Sequence, residues 1–289
     1  MKRGALPPTG ASAVLALLAL LWLSPPALHA EGHGPMFGLA TPTLGRGQWS
    51  SDTTVMTLDT DAGTMTMVRE MIGYGFTEDL QGIVTFPVFR DTGLVMPPRT
   101  RFGTMMSAYG ETEASLLWRF DRDAPAVGTR RESALLAGVS LPVDAARAGV
   151  RIGPAANLAV VTGFASRVTY WWLGAGSQYY AKRGNDRLGP LYYASAVFGW
   201  RPPLFQHDYP KPDWRLFVEA LAERAERNRI AGAADPNSGG DKFLLGPSVL
   251  GLYGQWGVEF GALFPVSQSL NGTQPEENLR AKAVFTYWF

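Results

Sequence analysis

The chain contains no cysteine. That excludes a disulfide framework, a lipid-modified cysteine and every thiolate metal site. Histidine is nearly as scarce: beyond residue 30 only His33 and His207 remain. His33 lies in a Gly-rich stretch beside Glu31, where weak metal binding is conceivable but a structural or solvated role fits a lone imidazole better. His207 adjoins Asp208 in the Pro-rich stretch 202–212, and no nucleophile-elbow serine motif accompanies the pair. A phosphate-binding glycine loop is missing too. The sequence therefore displays no catalytic set, no metal site and no cofactor motif. Past residue 30 no stretch approaches 18 consecutive apolar residues, which excludes helical membrane spans. Charge excess of either sign is also lacking. The full chain carries +1, with 26 basic and 25 acidic residues. Without Lys2 and Arg3 the count is 24 against 25, or −1, and nothing points to a nucleic-acid partner.

What is present begins with the N-terminus. Lys2 and Arg3 precede an apolar run from Ala11 to Leu23, followed by Ser24-Pro25-Pro26 and Ala27-Leu28-His29-Ala30. A charged start, an apolar core and a small residue at a cleavage point read as a signal peptide over 1–30. The alternative, a retained anchor, has only 13 residues where a spanning helix needs about 20. Residues 31–47 are rich in Gly and Pro and have no period, so they read as an irregular periplasmic lead-in, able to plug whatever follows.

From 48 to 289 the apolar residues, 46% of the whole chain, are spread in alternation rather than in blocks. The C-terminus shows the pattern best. Phe289, Tyr287, Phe285, Ala283, Ala281 and Leu279 share one face of a strand, with Trp288, Thr286, Val284, Lys282 and Arg280 on the other. An aromatic last residue with apolar residues at alternate positions before it resembles the closing strand of bacterial outer-membrane β-barrels. That resemblance implies that Phe285, Tyr287 and Phe289 form a signature read by the barrel-assembly machinery. A soluble sandwich could end the same way.

Twelve alternating segments are expected, at 48–58, 64–76, 82–89, 101–120, 133–141, 157–166, 170–182, 190–201, 213–226, 242–253, 257–267 and 278–289. Short turns such as Thr77-Glu78-Asp79-Leu80, Arg167-Val168-Thr169 and Gly254-Gln255-Trp256 follow even segments. Longer links at 90–100, 142–156, 227–241 and 268–277 follow odd ones. This asymmetry and the even count predict an all-β fold: a transmembrane, antiparallel, up-and-down 12-stranded barrel with both termini in the periplasm. Two links break the pattern, the short outer loop near 59–63 and the long turn at 121–132. Trp214–Arg229 competes as a helix, being rich in Ala, Leu, Glu and Arg, but removing that strand would break the parity.

Parity also assigns faces. The lumen-facing candidates are Arg101, Tyr109, Glu111, Glu113, Arg119, Arg215, Glu219, Glu223, Glu259, Arg280 and Lys282, with Arg69 on the same side. These mixed charges read as an ion-pair network that either fills a narrow barrel or lines a pore, rather than as an acid–base pair. Aromatic residues cluster near segment ends, at Tyr170–Trp172, Tyr179 and Tyr180, Tyr192 and Tyr193, Trp200, and Tyr287 and Trp288, as interfacial girdles would place them.

The phrase Gly32-His33-Gly34-Pro35-Met36-Phe37-Gly38-Leu39-Ala40-Thr41-Pro42-Thr43, with Trp49, resembles the start of the outer-membrane proteins grouped as the phenol-degradation meta-pathway family. Leu245-Gly246-Pro247-Ser248, Phe264-Pro265-Val266-Ser267-Gln268 and Leu270-Asn271-Gly272-Thr273-Gln274-Pro275-Glu276 resemble its closing strands. The resemblance implies an outer-membrane transporter, its cargo either aromatic and hydrophobic compounds or metal-related. The expected partners are thus the lipid bilayer, the assembly machinery and a small-molecule solute. The alternatives are a closed structural or ligand-binding barrel and, further off, an outer-membrane hydrolase.

Overall fold

Twelve strands alternate direction along the chain and pair neighbour to neighbour until the last meets the first. They are β1 (Trp49–Thr60), β2 (Gly63–Gly75), β3 (Leu80–Thr92), β4 (Glu113–Asp123), β5 (Arg130–Ser140) and β6 (Ala155–Ala165). Then come β7 (Thr169–Tyr180), β8 (Leu191–Trp200), β9 (Asp213–Ala225), β10 (Gly240–Tyr253), β11 (Trp256–Leu270) and β12 (Glu277–Trp288). The computed structural model describes residues 34–92, 111–145, 150–206 and 211–289. The expected strand at 101–120 is therefore seen from 113 onward, and Arg101, Tyr109, His33 and His207 lie outside the described residues.

Pairing explains why these segments are strands. In hydrocarbon every backbone N–H and C=O must be satisfied within the protein, and a closed antiparallel sheet does this without edges. β1 and β12 close it from Ser50↔Trp288 to Asp59↔Leu279. Trp49 N donates to Phe289 O at 2.9 Å and Phe289 N returns a bond to Trp49 O at 3.1 Å. Trp214 to Ala225 is strand: β9 pairs with β8 along ten residues and with β10 along thirteen. Its helix-favouring composition yields because the strand faces apolar surroundings outward and buried partners inward. The long turn expected at 121–132 shrinks to 124–129, since β4 runs to Asp123 and β5 starts at Arg130.

The wall has two chemically distinct faces. Outward residues are large and apolar: Leu158, Val160, Leu173, Phe198, Val218, Phe260, Phe264 and Phe285 are each about half exposed. Their inward neighbours are buried. An apolar belt outside a closed sheet is the arrangement of a membrane-spanning barrel. Where β1 begins and β12 ends, outward aromatics form a continuous ladder across four strands. Trp49 contacts Tyr74 (ring centroids 4.5 Å apart), Tyr287 contacts Trp256 (4.4 Å), and Phe289 stacks between Trp49 and Tyr287. The girdle reading is corrected in part. Trp171, Tyr179, Tyr192 and Trp200 do face outward, but Tyr170, Trp172, Tyr180, Tyr193 and Trp288 are buried in the interior. Adjacent residues of a strand point to opposite faces, so a pair of aromatics cannot both reach the interface.

The face assignment is testable at Val160, mid-strand and outward. Val160→Arg should lower unfolding stability in lipid vesicles by about 2–4 kcal/mol, as charges on a barrel's lipid face do near the midplane. Arg at Val127, in an exposed turn, should change it by less than about 0.5 kcal/mol. Denaturant titration of the folded fraction reads both.

Candidate functional site

The interior of the barrel is occupied by the chain's own N-terminal segment. Met36, Phe37, Leu39, Thr41, Thr43 and Leu44 are all buried against the inner wall. Met36 and Phe37 pack with Met56, Leu58, Met65, Met67, Leu221, Leu244, Leu263 and Val284. Leu39 packs with Leu117, Leu136, Val161, Trp172, Val197 and Phe217 among others. Each such fully buried side chain contributes about 1.5–3 kcal/mol of apolar transfer. The wall is thinned to admit them. A methyl group at Gly261 would stand 2.8 Å from the Met36 sulfur and 2.9 Å from the Phe37 ring, and one at Gly174 would stand 2.8 Å from Leu39. The inner wall thus has large apolar stretches, where alternation alone suggested a polar lumen.

Polar ties fix the segment along its length. The N–H groups of Met36, Phe37 and Gly38 all donate to the Glu219 carboxylate, at 2.8, 2.8 and 2.7 Å. Ser248 Oγ donates to the same carboxylate. Lys282 Nζ donates to Met36 O at 3.1 Å. Further along, Leu39 N donates to Ser195 Oγ (3.1 Å), Thr41 Oγ1 to Glu132 Oε2 (2.9 Å) and Leu44 N to Gln81 Oε1 (2.8 Å). Trp172 Nε1 in turn donates to Thr41 Oγ1 at 3.0 Å. The segment is held by the wall, with backbone groups that no sheet satisfies paired to side chains instead.

Three further groups of charges surround it. Toward the loop end, Arg280 donates to Glu223 through both terminal nitrogens, at 3.0 and 2.9 Å, and its Nε donates to Glu277 at 2.8 Å. Lys242 Nζ donates to Glu277 at 2.7 Å. Arg280 and Glu277 have no exposed side-chain surface. On the other side of the barrel Arg69 pairs with Glu113 at 3.1 Å and donates to Glu111 O at 2.6 Å, while Tyr180 Oη donates to Glu111 at 2.9 Å. Toward the end where the termini meet, Arg119 binds Glu132 at 3.0 Å and Asp79 at 2.9 Å. Between these groups a cavity of about 110 Å³ remains beside the segment, lined by Asp52, Glu259 and Lys282 together with Gly34–Met36 and Met71.

Of the residues singled out from sequence, Glu111, Glu113, Arg119, Glu219, Glu223, Glu259 and Arg280 are buried inside the barrel and Lys282 is partly buried there. Arg215 sits nearer the rim, bonded to Asp213 at 3.1 Å and lying 5.3 Å above the Tyr170 ring. Sequence reasoning missed Lys242, Glu277, Glu132, Asp52 and Asp79. Glu277 shares parity with the outward Leu279, yet it is buried. The β1–β12 register shifts between Asp59 and Thr60, which pair with Leu279 and Glu277, and this bulge turns Glu277 inward. No parity count shows such a bulge. Asp52 and Lys242 do lie on the inward parity of their strands and could have been counted. Glu132 falls one residue ahead of the expected segment, and Asp79 lies in a turn.

At the end opposite Trp49 and Phe289, described parts of the links bond to one another. Asp186 accepts bonds from Ala231 N (2.7 Å) and Arg151 N (3.2 Å), and these hold its carboxyl below the usual carboxylate range. Asn271 Nδ2 donates to Ser238 O and Thr273 N to Asn237 Oδ1, each at 3.0 Å, tying the link after β11 to the link after β9, within which Asn228 N donates to Ser238 Oγ at 2.8 Å. Among the described residues no group of three or more His, Cys, Asp or Glu is placed to hold a metal ion.

No protein-family model matches the chain, and no curated protein matches it in sequence. Among solved structures the barrel is similar to an outer membrane channel from Pseudomonas putida F1, with a TM-score of 0.60 and 12% identity over 86% of this chain and 97% of that one. It is also similar to the NanC porin, with a TM-score of 0.51 and 6% identity over 82% of this chain and 99% of that one. Identities this low establish the fold, a closed 12-stranded membrane barrel.

Arg280 is the hub of the loop-end cluster, and truncating it leaves two buried carboxylates with one lysine. Arg280→Ala should destabilise the barrel by about 3–5 kcal/mol. Arg280→Ala combined with Glu223→Gln and Glu277→Gln should recover part of that loss. The temperature at which heated samples change gel mobility reports both.

Proposed function

We propose that the chain is an outer-membrane channel for small solutes whose own segment 31–47 regulates passage. The observation that carries this reading is the way the interior is filled. Residues 34–44 lie outside the sheet as a strap tied to the wall through side chains, with Gly47 N joining the backbone to Gly75 O of β2, and their removal would leave a passage lined by Glu219, Glu259, Asp52 and Lys282. A twelve-stranded barrel is intermediate between filled eight-stranded barrels and open sixteen-stranded porins, so a strap of this size suffices to close it. The similar solved structures, a channel and a porin, support the same reading by fold.

Residues 1–30 serve as the signal peptide, both termini lie in the periplasm, and Phe285, Tyr287 and Phe289 present the assembly signature. Phe285 is outward and about half exposed, as a feature recognised from the lipid side requires. The Met-rich and aromatic inner wall favours aromatic or weakly polar cargo over strongly hydrated ions, in keeping with the resemblance to the phenol-degradation meta-pathway family. A second reading, a closed structural barrel, is favoured by the complete burial of Arg69 and Arg280.

Conductance separates the two. In planar bilayers the full mature chain should give small or rare openings, and the barrel lacking residues 31–47 should give larger and more frequent ones. Both samples must first show the heat-modifiable gel shift of a folded barrel. Folded protein that is electrically silent and passes no solute in liposomes, with and without the segment, would establish the closed barrel.

A further inference from the structure

We propose that Glu219 is the latch that holds the N-terminal segment inside the barrel, and that Met36 is a residue wedged into a latent Glu219–Lys282 ion pair. Its consequence for passage rests on the channel reading above; the latch itself does not.

Three observations carry it. First, Glu219 lies in the middle of β9 and is fully buried, and three successive backbone N–H groups of the segment converge on its carboxylate. Bonds to a charged acceptor are about twice as strong as neutral ones. Further along the chain, among the described residues, no other wall group gathers three bonds from the segment's backbone: Leu39, Thr41, Thr43 and Leu44 each bond a different wall group. Second, both ends of one residue are clamped by opposite charges: Met36 N–H donates to Glu219 and Met36 C=O accepts from Lys282. When the segment leaves, Lys282 loses the Met36 carbonyl and is left beside the Glu219 carboxylate, with Glu259 and Asp52 on the same cavity. A Lys282–Glu219 pair formed there would give the interior a second arrangement. Third, the fit is specific to this place. A methyl group at Gly38 would collide with Val197 and stand 3.5 Å from the Glu219 carboxylate, so only glycine brings the backbone this close.

The test uses a chain that has no native cysteine. Leu39→Cys introduces one thiol at a buried position of the segment. Its reaction with a water-soluble maleimide is followed in the folded, heat-modifiable protein. Labelling should be slow in the otherwise native barrel and about tenfold faster or more with Glu219→Gln, because charge-assisted bonds to three N–H groups are lost. Glu223→Gln removes a buried carboxylate of the same strand that pairs with Arg280 and Lys242, and it should accelerate labelling far less than Glu219→Gln does. Equal acceleration by both would mean general loosening and overturn the latch. Should Glu219→Gln fail to fold, Glu219→Asp keeps the charge but withdraws it by one methylene. Unchanged protection in that variant also overturns the proposal.

Bilayer recordings then separate the two levels. A barrel that conducts once residues 31–47 are deleted, while Glu219→Gln stays both protected and silent, rejects the latch and keeps the channel. Fast labelling of the Glu219→Gln variant without any conductance keeps the latch and rejects the channel.

Discussion

The constraint on which everything else depends is closure of the sheet. Once β12 pairs with β1, the backbone has no free edge and the side chains divide strictly between hydrocarbon and a sealed interior. The outer face needs only to be apolar, and it is. The interior has a harder problem, because it holds charged residues in a space that excludes most water. Arg280, Glu223, Glu277 and Lys242 solve it at one end by pairing among themselves, and Arg119, Glu132 and Asp79 at the other. In the middle the wall does not satisfy itself. Glu219 takes one bond from Ser248 of the wall and three from the N-terminal segment.

That division of labour links packing to function. A barrel whose wall charges all pair with one another is closed by its wall. Here part of the closure is delegated to a strap of about a dozen residues, anchored by apolar contacts to Met56, Met67 and Leu263 on one side and to Trp172 and Val197 on the other. On the proposed reading, such a strap would leave without unpairing any strand. On the proposed channel reading, the free energy that separates closed from open is set by the contacts of this strap rather than by the pairing of the sheet.

Most of the fold was legible in the sequence, because in this architecture local alternation and global topology are the same signal. The twelve strands, the short turns after even strands and the strand nature of Trp214–Ala225 all follow from period-two patterning and an even count. The interior was less legible for three physical reasons. A bulge near Asn278 reverses the parity that would have revealed Glu277. Adjacent aromatics were read as girdles, whereas alternation sends Tyr170, Trp172, Tyr180 and Tyr193 inward. Finally, the segment 34–47 has no period at all, so its path through the barrel is written only in distant partners: Met36 with Glu219, Thr41 with Glu132, Leu44 with Gln81. Pattern analysis marks such a stretch as irregular and cannot say what it touches.

The central claim is that this segment lies against the inner face of β8, and a cross-link measures it directly. A Cβ at Gly38 would stand 3.6 Å from the Ser195 Cβ, within the range of about 3.5–4.5 Å that a disulfide needs. With Val197→Ala to make room, the pair Gly38→Cys and Ser195→Cys should oxidise to one disulfide in the folded barrel, seen as a joined peptide on non-reducing digestion. The pair Gly38→Cys and Ala196→Cys, whose second site faces lipid, should not. A disulfide at the second pair and none at the first would place the segment outside the barrel and contradict the account.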